Sequence, residues 1–331
     1  MRLSGLRWAV SRPSFRPVRP RPGPWLRLRL RLRLRLRLRL RPRLPGSRRG
    51  RRMFAGSVLA AFGAVSAVVQ FVGQLFPGAV ARPGPVLAAS VALCLAWGLA
   101  RARPQSVVRQ EFGRPGMTVV VEEGDLFDQP GHLVVGFTDT FDTLVDDGVV
   151  INDASVQGQL LARRYAGDAP RLDTELAAAL DGVAPTARES ERDKPRGKRA
   201  RYPIGTVATL GNRPRLVFAV AYSRMGNDCV ASSSVHDLWF GLDRLWDAVH
   251  RHAQLERVTM PLTGAGLARL HDLDEDSLLR LILLSFVTHS WERTVCRELH
   301  VVVRPGELGR IDLPEAGAFL AGLAAGARRH S

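Results

Sequence analysis

In 117-MTVVVEEGDLFDQPGHLVVGFTDT-140, two short apolar runs rich in Val are bounded by Gly, Pro and Asp. Met117 to Val121 and His132 to Phe137 therefore read as buried strands, with Gly124-Asp125-Leu126-Phe127 in the connection between them. Working outward from these strands, apolar spacing predicts helices over 156–165 and 174–180 and strands over 204–210 and 216–221. A long amphipathic stretch at 232–252 follows, in which Leu238, Leu242, Leu245, Trp246 and Val249 recur at helical spacing. A strand at 258–262, a helix at 274–290, a strand at 299–304 and a closing helix at 315–325 complete the series. Strands alternating with helices predict an α/β fold, a three-layer α/β/α domain with a mixed sheet. The polar segment 188–201, dense in Lys, Arg and Glu, is expected to be an exposed, mobile loop.

In such sheets a ligand sits beyond the carboxyl ends of the strands, and two loops fall there. One is 260–267, Met-Pro-Leu-Thr-Gly-Ala-Gly-Leu, where Thr263, Gly264, Ala265, Gly266 and Leu267 give small residues whose backbone N–H groups can converge on a diphosphate. A tight structural turn explains Gly-x-Gly equally well. The other runs from Thr138 through Asp139, Asp142, Asp146 and Asp147 into Ser155 and Gln157. Its acids serve either a ligand or the turns and caps themselves. Nucleophilic catalysis has little support. Ser232, Ser233 and Ser234 stand at a helix start next to His236 and Asp237, where capping is the simpler account, and His250 and His252 do not share a helix face. Cys94, Cys229 and Cys296 form no C-x-x-C pair, which removes a zinc ribbon and a disulfide framework.

The chain of 331 residues carries a formal charge of +17, but the excess is local. Residues 1–52 hold 19 arginines and no acid, leaving 29 basic and 31 acidic side chains in the remaining 279 residues. A near-neutral body argues against nucleic acid as a partner. The leader includes an unbroken Leu/Arg alternation at 26–41 that cannot bury a core, and the working protein is expected to begin at or near Met53. Two uncharged segments follow within 53–103, one at 57–76 and a shorter one at 84–100, and they predict a pair of transmembrane helices. Arginines flank both outer ends, while Arg82 alone lies between them, so the positive-inside rule places both termini in the cytoplasm. A cleaved export signal ending near Ala79-Val80-Ala81 and a buried helical pair in a soluble fold are the alternatives.

The combination of Gly-Asp-Leu-Phe after the first strand, a polar loop after the second and Pro-Leu-Thr-Gly-Ala-Gly-Leu late in the chain resembles macro domains. Phe141-Asp142-Thr143, Asp146-Asp147, Gln157-Gly158, Tyr202-Pro203-Ile204-Gly205-Thr206 and the paired apolar segments in front are similar to the macro-domain effectors of bacterial Thoeris anti-phage systems (ThsA-like). The resemblance spans roughly 53–312. It implies a macro-like ligand-binding domain at 115–312, with 313–331 a C-terminal helix and tail. It further implies that Asp125, with Leu126, contacts the adenine of an ADP-ribose-type ligand, that Thr263 to Leu267 wrap its diphosphate, that Asp139, Asp142, Asp146 and Asp147 read its amine-bearing end, and that Thr138 and Gln157 also belong to the ligand site. No metal or cofactor is implied. The ligand would be a conjugate such as histidine-ADP-ribose made by a TIR-domain partner, and binding would lead, with homo-oligomer assembly in the lipid bilayer, to membrane damage and abortive infection. Thr138 stands where the family usually has Asn, and the Gly-Gly-Gly run of hydrolytic macro domains is absent, so no enzymatic activity is expected. A tethered ADP-ribosyl hydrolase and a scaffold that binds no nucleotide are the rival readings.

Overall fold

The computed structural model describes residues 48–75, 83–101, 107–145, 148–264 and 273–329. The leader up to residue 47 and the expected ligand residues Asp146, Ala265, Gly266 and Leu267 lie outside the described residues, as does Asp147. The chain divides into two units, one whose described residues, 57–75 and 83–101, are helical, and a larger C-terminal one.

The C-terminal unit is organised by side chains that alternate across a seven-strand path. The strands are β1 (Val107–Phe112), β2 (Met117–Glu123), β3 (His132–Thr138), β6 (Val207–Leu210), β7 (Val217–Met225), β9 (Val258–Pro261) and β10 (Glu298–Val303), in the order β1-β2-β10-β9-β3-β7-β6. The five inner strands run parallel, and the two outermost, β1 and β6, pair antiparallel, so the sheet is mixed as expected. Val134 and Phe218 point into one core and Leu133, Val135, Phe137 and Val217 into the other, following the period of two. The first core is covered by α5 (Val235–His252), α6 (Glu275–Glu292) and α7 (Leu313–Arg329), and the second by α3 (Val156–Arg164) and α4 (Ala169–Ala179). Parallel inner strands need both faces covered, and the five helices supply that cover.

Side-chain caps fix where these helices begin. Ser234 accepts from the Asp237 amide at 3.0 Å, Asp274 from Ser277 at 2.9 Å and Ser155 from Gly158 at 3.0 Å. Ser234 thus serves as a cap, the simpler of the two readings of the serine cluster.

Two boundaries and one segment differ from expectation. β1 precedes residue 115 and buries Val108 and Phe112 in the first core, while α7 adds Leu313, Ala316, Leu320 and Ala324 to that same core, so the fold extends beyond 115–312 at both ends. A six-residue edge strand with only alternate positions buried leaves a weak periodic signal. The third difference is the polar segment 188–201. It is bracketed by a short antiparallel pair, β4 (Ala187–Arg188) and β5 (Ala200–Arg201), and its Lys194 is wholly buried. Composition suggested solvent because it gives no sign of an internal counter-charge for that lysine. A further short strand, β8 (Ala231–Ser232), pairs with the end of β7.

Two helices precede β1, α1 (Arg48–Leu75), which enters the N-terminal unit from Ser57 onward, and α2 (Pro83–Arg101), which lies within it. Within α1, the 21 residues Ala55–Leu75 are long and apolar enough to cross a membrane, about 31 Å at the helical rise. Leu59, Phe62, Val68 and Phe71 stand exposed along this helix. The apolar part of α2, Gly84–Gly98, is shorter, roughly 22 Å against a hydrocarbon core of about 30 Å. One of the two expected spans therefore meets the length of a bilayer.

Candidate functional site

A cleft of about 610 Å³ opens at the carboxyl ends of β3, β7, β9 and β10, where Thr138, Ser223, Leu262 and Val302 reach it. The strand interior shapes its floor. Gly136 sits in mid-β3, and a Cβ there would meet Cδ1 of Tyr222 on the neighbouring β7 at 3.0 Å and Cε1 closer still. A glycine inside a strand commonly marks close approach of another group; here the Tyr222 ring fills the space. Burial pushes the Tyr222 hydroxyl up to about 12, offset in part by the backbone amide of Gly264. The ring thus lies between the floor and the start of the glycine loop, where Gly264 adopts φ +98°.

One wall continues from β3. The Thr138 and Thr140 hydroxyls lie 3.1 Å apart, and Thr140 donates to the Asp142 carboxylate. Between them Phe141 takes a left-handed φ of 48°, uncommon for a bulky residue. Its ring is held against Phe137 at 5.6 Å and edge-on to Tyr202 at 5.7 Å. Asp142 and Lys194 form a buried ion pair at 3.3 Å, with the lysine also donating to the carbonyls of Arg196 (3.0 Å) and Lys198 (2.7 Å). The Lys198 amide donates to the same carboxylate, and the Gln157 side chain donates to the Asp142 carbonyl. Asp139 accepts from the Met225 amide at 2.8 Å and from Arg201 at 2.9 Å. Arg201 in turn holds Glu189, whose carboxyl it keeps below the usual range.

Of the residues expected at the ligand, the structure brings Thr138, Gln157, Thr263 and Gly264 to the cleft. Asp139 and Asp142 stand behind the wall with their carboxylates engaged within the chain. Asp125 is not among the cleft-lining residues. It caps a short 3-10 turn, accepting from the Phe127 amide at 2.8 Å, and is clamped by Arg163 at 2.6 Å. Partial burial opposes ionisation of its carboxyl, but that amide and guanidinium prevail and hold it below its ordinary value. Leu126 is buried in the second core.

Sequence reasoning missed Tyr222, the 149–152 and 229–231 segments and Arg304, all of which line the cleft. Only Gly136, interrupting an apolar strand, carried a readable signal. Among the described residues, no group of three His, Cys, Asp or Glu side chains is placed to hold a metal ion. The arrangement offers a shaped, half-apolar surface, hydroxyls at Thr138, Ser223 and Thr263, and a glycine turn, which suits binding of a small polar molecule.

The chain matches the family model described as Thoeris protein ThsA, Macro domain, over residues 119–304. It belongs to that family. The match begins in β2 and ends just past β10, enclosing the cleft-bearing part of the ThsA macro domain. Among solved structures, a mutant Oceanobacillus iheyensis macrodomain is similar at 10% identity and a TM-score of 0.43, covering 69% of this chain and 100% of its own. The Oceanobacillus iheyensis macrodomain with ADP is similar at 11% identity and a TM-score of 0.42, covering 68% of this chain and 98% of its own. Another mutant of that macrodomain, with ADPR, is 12% identical with a TM-score of 0.42, covering 66% and 96%. No curated protein matches the chain.

Proposed function

We propose that this protein is a membrane-anchored sensor whose ThsA macro domain binds an ADP-ribose-derived signal without turning it over. The observation that carries this reading is the cleft itself, about 610 Å³ in volume and formed at the carboxyl ends of parallel strands, with a glycine turn on one side. That volume falls in the range of small-molecule sites, and membership of the ThsA macro-domain family supports a ligand of the ADP-ribose type. In this reading the signal is a conjugate such as histidine-ADP-ribose, produced from NAD by a TIR-domain partner. Both carboxylates of the β3 wall are engaged in internal pairs, so neither is free to act as a general base, which favours sensing over hydrolysis. The apolar α1, followed by α2, anchors the protein with both termini and the macro domain in the cytoplasm. Ligand binding promotes assembly of the anchors, membrane damage and abortive infection.

Thermal unfolding of the full chain in detergent, with and without ADP-ribose and histidine-ADP-ribose, tests the reading, because a ligand that binds only the folded state raises the midpoint. An unchanged midpoint at millimolar ligand overturns nucleotide sensing. Sustained release of ADP-ribose from a modified protein would replace the sensor with an enzyme.

A further inference from the structure

Arg304 is the one cationic side chain among the described residues that line the cleft. Its position follows from register. Val302 of β10 pairs with Pro261 of β9, so Arg304 leaves one strand beside Thr263, which leaves the next. Its guanidinium makes one hydrogen bond, to the carbonyl oxygen of Ala154 on the loop before α3 at 3.2 Å, and no ion pair among the described residues. The nearby Asp125 carboxylate feels its charge but is already held by Arg163. Nearly every other arginine that reaches a carboxylate in this domain does so internally, as Arg163, Arg201, Arg293 and Arg310 do. A guanidinium left with a single neutral acceptor, at the mouth of a cleft beside a glycine turn, retains donors in a fork that matches phosphate geometry.

We infer that Arg304 reads the negative charge of the ligand, pairing with its diphosphate above the Thr263-Gly264 turn and setting the preference of the cleft for anionic over uncharged nucleosides. This rests on the proposed binding of an ADP-ribose-type ligand and adds the residue that discriminates by charge. Behind the β3 wall, Lys194 and Arg201 are both committed to buried acids.

The test is calorimetric titration of the full chain in detergent with ADP-ribose, adenosine and inorganic pyrophosphate at low and high salt. It compares the unsubstituted protein with Arg304→Gln and Arg304→Lys. Losing a charge-assisted hydrogen bond should weaken ADP-ribose binding by about tenfold or more, flatten its salt dependence and leave adenosine affinity as it was. Arg304→Lys should fall between, because it keeps the charge and loses the fork. Unfolding midpoints without ligand should stay level, as only the Ala154 contact is lost. If the unsubstituted protein binds no ADP-ribose, the sensing reading falls. If it binds and Arg304→Gln binds equally well with the same salt dependence, the inference about Arg304 falls by itself. Equal losses for adenosine and ADP-ribose would make the residue a structural brace for the Ala154 loop and overturn it as well.

Discussion

On the β3 side of the cleft the buried charges have counter-charges within the chain: Asp142 faces Lys194, and Asp139 faces Arg201. On the β9–β10 side the polar groups have light commitments. Thr263 donates to the Pro261 carbonyl at 3.2 Å, the Gly264 amide reaches Tyr222, and Arg304 holds one carbonyl. The difference separates two tasks. A wall whose charges are neutralised internally supplies shape and keeps it, because breaking a buried pair exposes an uncompensated ion. A side whose donors are lightly used can turn them toward a ligand at small cost.

The comparison breaks most directly at Lys194. Lys194→Met leaves Asp142 buried without its partner, and the expected loss is about 3–5 kcal/mol of unfolding free energy, read from chemical denaturation. A variant that unfolds at the original denaturant midpoint would mean that the wall is not held by this pair. Next in size is Gly136→Ala, whose added methyl collides with the Tyr222 ring. Overpacking of this kind costs about 1–3 kcal/mol, and ligand affinity measured by calorimetry should fall because the displaced ring is the cleft floor. Tyr222→Phe keeps the ring and removes the hydroxyl that interacts with the Gly264 amide. A loss of about 0.5–1.5 kcal/mol is expected, accompanied by faster hydrogen exchange at Gly264, while exchange along β3 stays as before.

The smallest effect belongs to the flank. The Asp125 carboxyl is held below its ordinary value, so its contribution is fully present above the unfolded value of about 3.9 and is lost as pH falls through the lower native value. The pair with Arg163 is partly exposed, with the two side chains 40% and 37% accessible, and is worth at most about 1 kcal/mol. Asp125→Asn should cost less than that at neutral pH and nothing in strong acid, as followed by unfolding midpoints across pH. A loss of several kcal/mol would place Asp125 with the pinned wall instead.

The fold was legible where local pattern and tertiary context agree. The two Val-rich runs, the helix with Trp246 on its buried face and the strand before the glycine turn all appear near their expected positions, because alternate or helical spacing of apolar residues dictates which face is covered. The cleft was legible only at its backbone-rich corners, Thr138, Gln157, Thr263 and Gly264. The acids of 138–142 looked like ligand groups because their counter-charges lie 52 and 62 residues further along the chain, in a segment whose composition resembles solvent-exposed linker. Pairings at that separation leave no mark in a local window. Arg304 was hidden for the opposite reason, since nothing adjacent distinguishes it from any other arginine after a strand.

The shared volume of Gly136 and Tyr222 has an evolutionary consequence. Two positions 86 residues apart divide one space between them, so the side chain at 136 cannot grow while 222 remains a tyrosine. A larger side chain at 136 requires a smaller one at 222, and the two should exchange bulk as a unit across the lineages that keep this cleft. Where a chain of this kind carries a small residue at both positions, the vacant space would deepen the floor of the cleft and enlarge the volume it encloses.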